Sequence, residues 1–240
     1  MNNEPKILIG TPTYSGKFYC LKEWVENIKS VSYDNFDLVL VDNSATDDYK
    51  SKIESYGVKC IKSKFFENPA LSLYEARKKF FEYALDNNYD FIFSVEQDVF
   101  PPPDTLKRLL NHKKSVIGAP YLLNPLTNES RRKVDWIVSC ADLDKEIILT
   151  DGNQAMYWLL YSEIKNTGLR QVRSCAFGCT LIDCRVLKQI KPRLIGGLKR
   201  FDDYYFFEDC FSSQIKVFAD TDILVPHFPS LGGGSGWASL

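Results

Sequence analysis

The chain has 240 residues, 45% of them hydrophobic and 14% aromatic, with 30 Lys and Arg against 31 Asp and Glu for a formal net charge of −1. That size supports a substantial core in one large domain or two intimate halves, and the charge balance gives no global attraction for nucleic acid. No apolar run approaches the ~20 residues of a membrane span, and no leader-like segment precedes "KILIGTPTY".

The first hundred residues alternate strand and helix. "KILIG" (6–10) is a continuous apolar run, the pattern of a strand covered on both faces. Residues 17–31 carry Phe18, Leu21, Val25 and Ile28 at helical spacing. "FDLVLVD" (36–42) and "VKCI" (58–61) read as strands two and three. Asn68-Pro69 is a cap followed by proline at the first helical position, and Leu73, Ala76, Phe80 and Ala84 mark the apolar face behind it. "DFIFSV" (90–95) is strand four. This order predicts a mainly parallel α/β sheet, whose ligands sit beyond the carboxyl ends of the strands. Asp42 and Glu96-Gln97-Asp98 both lie at such ends. Buried and unpaired, each carboxylate would cost several kcal/mol, so partners or a ligand are expected.

The second half is less regular. "SVIGAPYLL" (115–123) reads as a strand entering a polar, charged excursion around 124–135. "VDWIVSC", "KEIILT" and "CAFGCTLID" (175–183) have strand character, and "CRVLKQI" that of a short helix. Cys175, Cys179 and Cys184 lie close together but lack the partner pair of a zinc site. The seven cysteines read as reduced thiols, mostly inert in the core, in a cytosolic protein for which peripheral membrane contact stays open. "FFEDCFSSQIKVF" (206–218) has helical spacing, "TDILVP" (221–226) suits a late strand, and His112 suits the surface near a helix end. The glycine-rich tail contains Trp237.

"GTPTYSGKF" is not a phosphate loop. Gly10 and Gly16 are separated by five residues, and Phe18 stands where a metal-binding hydroxyl is needed.

Five segments in order, "KILIGTPTYSG", "LVLVDNSATDD", "ALSLYEARKKF", "FIFSVEQDVFPP" and "FGCTLIDCRVL", followed by "FFEDCF" and "DILVPHF", resemble the GT-A fold glycosyltransferases, most closely the inverting family 2 type. The resemblance implies one GT-A (Rossmann-like) domain over 1–240. Its mainly parallel sheet would be flanked by helices, with a nucleotide-sugar half (1–100) and an acceptor-binding and catalytic half (101–240) that carries a smaller mixed sheet. It implies a UDP- or GDP-sugar donor, a glycan, lipid or small-molecule hydroxyl acceptor, and a Mn²⁺ or Mg²⁺ ion. Glu96-Gln97-Asp98 stands in the place of the family's Asp-x-Asp motif, with Asp98 and His227 as metal ligands and Glu96 near the ribose or the ion. Pro12, Tyr14, Asp42 and Arg77 would face the nucleotide, although Lys78 replaces the usual asparagine after the arginine. Among Asp202, Asp203, Glu208 and Asp209, the resemblance favours Asp209 as the general base, with Glu208 orienting it or the acceptor. A sugar nucleotidyltransferase and a silent nucleotide- or carbohydrate-binding protein are the other readings.

Overall fold

The computed structural model describes residues 4–128, 133–148, 154–195 and 200–228. The glycine-rich tail with Trp237 lies outside the described residues.

The first strand, β1 (Ile7–Thr13), is buried along its whole length. A 3-10 turn over Ser15–Cys20 leads into α1 (Leu21–Lys29), whose Leu21, Trp24, Val25 and Ile28 are buried. β2 (Phe36–Asp42), α2 (Asp48–Ser55) and β3 (Lys59–Lys62) follow. β1 and β2 approach so closely at Gly10 that a Cβ there would lie 1.8 Å from the Val39 carbonyl oxygen. α3 (Pro69–Asp86) starts as its sequence dictates: the Asn68 side chain accepts from the Ala70 and Leu71 amides, and proline occupies the first turn. It buries Ala76, Arg77, Phe80, Phe81 and Ala84. β4 (Phe91–Val95) completes a parallel block in the order β3-β2-β1-β4.

Beyond it come α4 (Thr105–Asn111), β5 (Val116–Gly118), β6 (Leu122–Asn128), β7 (Lys133–Ile148), β8 (Gln154–Leu160), α5 (Tyr161–Ile164), β9 (Leu169–Val172), β10 (Cys179–Asp183), α6 (Cys184–Gln189), α7 (Asp202–Ser212) and β11 (Val217–Asp220). β10 runs antiparallel between β4 and β5, and β11 and β9 extend the sheet to eight strands. β6, β7 and β8 form a separate antiparallel sheet. One apolar cluster packs α3, α6 and α7 on the sheet through Phe80, Phe81, Phe177, Phe206 and Phe207. A second packs α1, α2 and α4 on it through Trp24, Ile28, Ile53, Leu106 and Leu109. All seven cysteines are buried free thiols.

Several boundaries differ from the sequence reading. α2 was not anticipated, because only Tyr49 and Ile53 of its residues are buried and the apolar period is thin. The stretch 115–123 divides into β5 and the start of β6. The helix expected at 206–218 begins four residues earlier and stops at Ser212, and Gln214 then turns left-handed (φ 58°) into β11. The stretch 221–226 is no strand: within it Val225 alone bridges, to Tyr121.

Candidate active site

Two loops from adjacent strand ends form one side of the site. After β1, the Ser15 amide donates to Ser44 Oγ at 2.8 Å, tying this loop to the one after β2. Asp42 is fully buried at the end of β2 and accepts from the Ser44 amide and from Lys62 Nζ, each at 2.8 Å. Pro12 is buried inside β1, whereas Tyr14 projects from the loop with half of its surface exposed.

The turn after β4 is the centre. The Glu96 amide donates to the Gly178 carbonyl at 3.0 Å, and the Val99 amide closes the turn on the Glu96 carbonyl. Gly178 is required here, since a Cβ would fall 2.3 Å from the Tyr121 hydroxyl oxygen. Gln97 is a buried clamp: its Oε1 accepts from Thr13 and, at 2.9 Å, from Tyr49, and its Nε2 donates to the Lys17 carbonyl at 2.7 Å. The chain returns to this turn near its far end. Phe100 N donates to the Pro226 carbonyl, Phe228 N donates to the Asp98 carbonyl, and Val99 bridges His227 antiparallel.

That bridge sets His227 beside Asp98. Nδ1 of the imidazole donates to the Leu122 carbonyl at 2.8 Å, which leaves Nε2 facing Asp98 Oδ2 at 3.6 Å. A ring fixed through Nδ1 in this way presents Nε2 as a metal-ligating nitrogen. The Lys17 ammonium also contacts Asp98 Oδ2. Asp98 Oδ1 is buried with no hydrogen-bond partner among the described residues. Burial alone would raise the Asp98 pKa, but His227 and Lys17 outweigh it and hold the carboxyl at about 2. Glu96, half-buried, shifts upward through burial and the neighbouring Asp98 charge. Lys17 and His227 shift upward although burial opposes it, because both face Asp98.

No three His, Cys, Asp or Glu side chains among the described residues form a self-sufficient cation cage. The donor set nevertheless fits a Mn²⁺ or Mg²⁺ ion that substrate completes. Such ions use one or two protein carboxylates plus phosphate and water, and manganese tolerates imidazole. The orphaned Oδ1 of Asp98 and Nε2 of His227 are the atoms available for it.

The start of α7 forms the other wall. Asp202 is buried and pairs through Oδ2 with Arg77 Nε at 3.2 Å. The Arg77 guanidinium lies 4.4 Å from the centre of the Phe177 ring and is enclosed, 1% exposed. Asp203 is half-buried, and burial together with Asp202 and Glu96 pushes its pKa up to about 7, against the pull of Arg77. Asp202 and Asp203 stand in the first turn of the helix, where its dipole favours anions. Glu208 and Asp209 stand near its other end. Arg173 holds Glu208 with two hydrogen bonds of 2.8 Å, and Arg193 holds Asp209 with bonds of 2.6 and 2.8 Å. The helix start expected at Glu208-Asp209 therefore falls at Asp202-Asp203.

The structure thus groups Glu96, Asp98 and His227, sets Tyr14 in the loop after β1 and Asp42 at the end of β2, and turns Arg77 inward. Sequence reasoning missed Lys17 and the Gln97 clamp. Lys17 stands in the stretch rejected as a phosphate loop, and the need to pair two strand-end acids was the signal that could have found it. His112, expected on the surface, is partly buried and bonds Asp220 at 3.0 Å.

The profile of the family described as "Glycosyl transferase family 2" matches residues 9–191. No curated protein matches by sequence comparison. Among solved structures, S. aureus TarS 1-349 in complex with UDP-GlcNAc aligns at TM-score 0.61 and 14% identity, covering 98% of this chain and 61% of that one. The mannosyltransferase PcManGT from Pyrobaculum calidifontis, in complex with GDP-Man and Mn²⁺, aligns at TM-score 0.59 and 12% identity, covering 98% and 60%. A second structure of TarS 1-349 aligns at TM-score 0.57 and 15% identity, covering 92% and 59%. The chain thus spans about three-fifths of the length of these neighbours, which share its fold. With most of its length inside the matched profile, the chain belongs to glycosyl transferase family 2 and has the GT-A fold.

Proposed function

We propose that this protein transfers a sugar from a UDP- or GDP-sugar to a hydroxyl of a glycan, lipid or small-molecule acceptor, with inversion and with a divalent cation. The observation that carries the reading is the convergence of Asp98, His227 and Glu96 beyond the carboxyl end of β4, and the Glu96 charge helps to raise the Asp203 pKa. It is supported by the nucleotide sugars in the neighbouring structures, one of them with Mn²⁺.

Asp98 and His227 would hold the cation, which when bound neutralises charge on the departing diphosphate. Tyr14, half exposed, offers a ring face to the base, and Asp42 with Pro12 shapes the nucleoside loop. Glu96 would face the ribose or cation-bound water. Asp203 rather than Asp209 serves as general base: it takes the proton of the acceptor hydroxyl as that oxygen bonds the anomeric carbon and the bond to the diphosphate breaks. A base with a pKa near 7 is matched to neutral pH, whereas Asp209 and Glu208 are each committed to an arginine. Arg77 acts through Asp202, fixing the helix start that presents Asp203.

The test is donor consumption with UDP- and GDP-sugars in the presence and absence of Mn²⁺, for the native chain, Asp203→Asn and Asp209→Asn. Loss confined to Asp203→Asn supports the assignment. Loss confined to Asp209→Asn returns the base to that residue, and absence of any donor turnover or binding defeats the transferase reading.

A further inference from the structure

Lys17 has a particular place in this site. Its backbone is fixed in the 3-10 turn by the Gln97 amide on its carbonyl, at 2.7 Å, and by the Cys20 thiol at 3.4 Å. Its side chain, 26% exposed, reaches inward to Asp98. The anchor is rigid, while the four-carbon stem can swing. The carboxylate it holds is the one available for a divalent cation, and an ammonium already on Asp98 Oδ2 repels a second cation. A diphosphate arriving at the same mouth offers the three ammonium donors better acceptors.

We propose that Lys17 is a displaceable counter-charge on the cation-binding carboxylate: from Asp98 Oδ2 it opposes a cation at the neighbouring Oδ1 until a nucleoside diphosphate draws its ammonium away, so that cation and diphosphate enter together. This rests on the transferase reading above and adds a binding order to it. In the absence of nucleotide the Lys17–Asp98 pair stays closed and Mn²⁺ binds weakly. Whichever ligand opens the pair spares the other that cost, which couples the two affinities reciprocally.

The experiment is Mn²⁺ titration followed by electron paramagnetic resonance, which counts free ion and needs no turnover. It uses the native chain, Lys17→Met, Lys17→Gln and Lys17→Arg, each alone and with saturating UDP or GDP. Removing the charge should tighten Mn²⁺ alone by roughly tenfold, within the usual range of coupling between two sites, and should shrink the further gain from diphosphate. Lys17→Arg should stay like the native chain. Unchanged or weaker Mn²⁺ binding by Lys17→Met and Lys17→Gln, with diphosphate-dependent Mn²⁺ binding intact, overturns the role of Lys17 and leaves the transferase reading standing. Absence of Mn²⁺ binding in every protein with either nucleotide overturns both.

Discussion

Replacing Asp203 by asparagine should move activity and stability in opposite directions. The side chain keeps its size, and its Oδ1 still accepts from the Tyr204 amide, a bond of 2.8 Å in the native chain. Holding a carboxyl at about 7 instead of its ordinary 3.8 corresponds to roughly 4 kcal/mol against ionisation in the fold. Solvent reach at a half-buried group reduces this to roughly 1–3 kcal/mol. The sign follows from linkage. The folded state binds the proton more tightly than the unfolded state, so the penalty is absent below the unfolded pKa and grows as pH rises to about 7. Above that it is complete. Asparagine never ionises, so at pH 8 the variant should melt higher by several degrees, at roughly 2–4 °C per kcal/mol for a chain of this size, and at pH 4 the two proteins should converge. Sugar transfer should meanwhile fall by about 10²–10⁴, the range for a positioned general base, and native transfer should lose rate as pH drops through about 7. Scanning calorimetry at the two pH values and product formation across pH measure both halves. An Asp203→Asn variant that transfers sugar normally, or that is destabilised at pH 8, would refute the reasoning.

Asp98→Asn should abolish the Mn²⁺-dependent stabilisation by UDP or GDP, which for a ligand at ~100 times its Kd is about 2.7 kcal/mol; His227→Ala should reduce it less, as read by thermal shift. Arg77→Met leaves Asp202 buried and unpaired, and should cost about 3–5 kcal/mol in urea unfolding; a cost below 1 kcal/mol would refute the dependence of the helix start on this ion pair. Tyr14→Ala should weaken nucleoside diphosphate by ~1–3 kcal/mol if the ring stacks on the base, measured by calorimetric titration. Because the ring is half exposed, the melting temperature of the unliganded chain should hardly change.

The parallel half was legible because its signals are local. The apolar runs of β1, β2 and β4 and the Asn68-Pro69 start of α3 appear where periodicity and capping put them. Strand ends then located Asp42, Glu96 and Asp98 without further information. The second half depends on features that leave no local mark. Helix α7 has Phe201 at its N-cap and no side-chain cap, so nothing in the segment announces its first residue. With four acids over eight positions, that first residue decides which pair meets the dipole. The helix stops at a non-glycine left-handed turn, and "VF" in β11 continues a helical apolar spacing that a short strand cannot contradict. Lys17–Asp98 and Arg77–Asp202 are contacts between residues 81 and 125 positions apart, and pairing at that separation is set by the sheet order.

The return of the chain at Val99 and His227 also has a meaning during synthesis. Asp98 emerges long before His227; at roughly 5–20 residues per second the delay is on the order of ten seconds. A nascent chain that has buried β1 and β4 in this interval would hold a carboxylate with neither imidazole nor ion beside it. Lys17 belongs to the same early segment and can neutralise Asp98 at once, so the amino-terminal half need not wait with an uncompensated charge in its interior. Arg77 is the opposite case. Its partner Asp202 arrives late, and the guanidinium must keep its water until α7 docks, which makes the closing of that helix a step that cannot precede the synthesis of its own first turn.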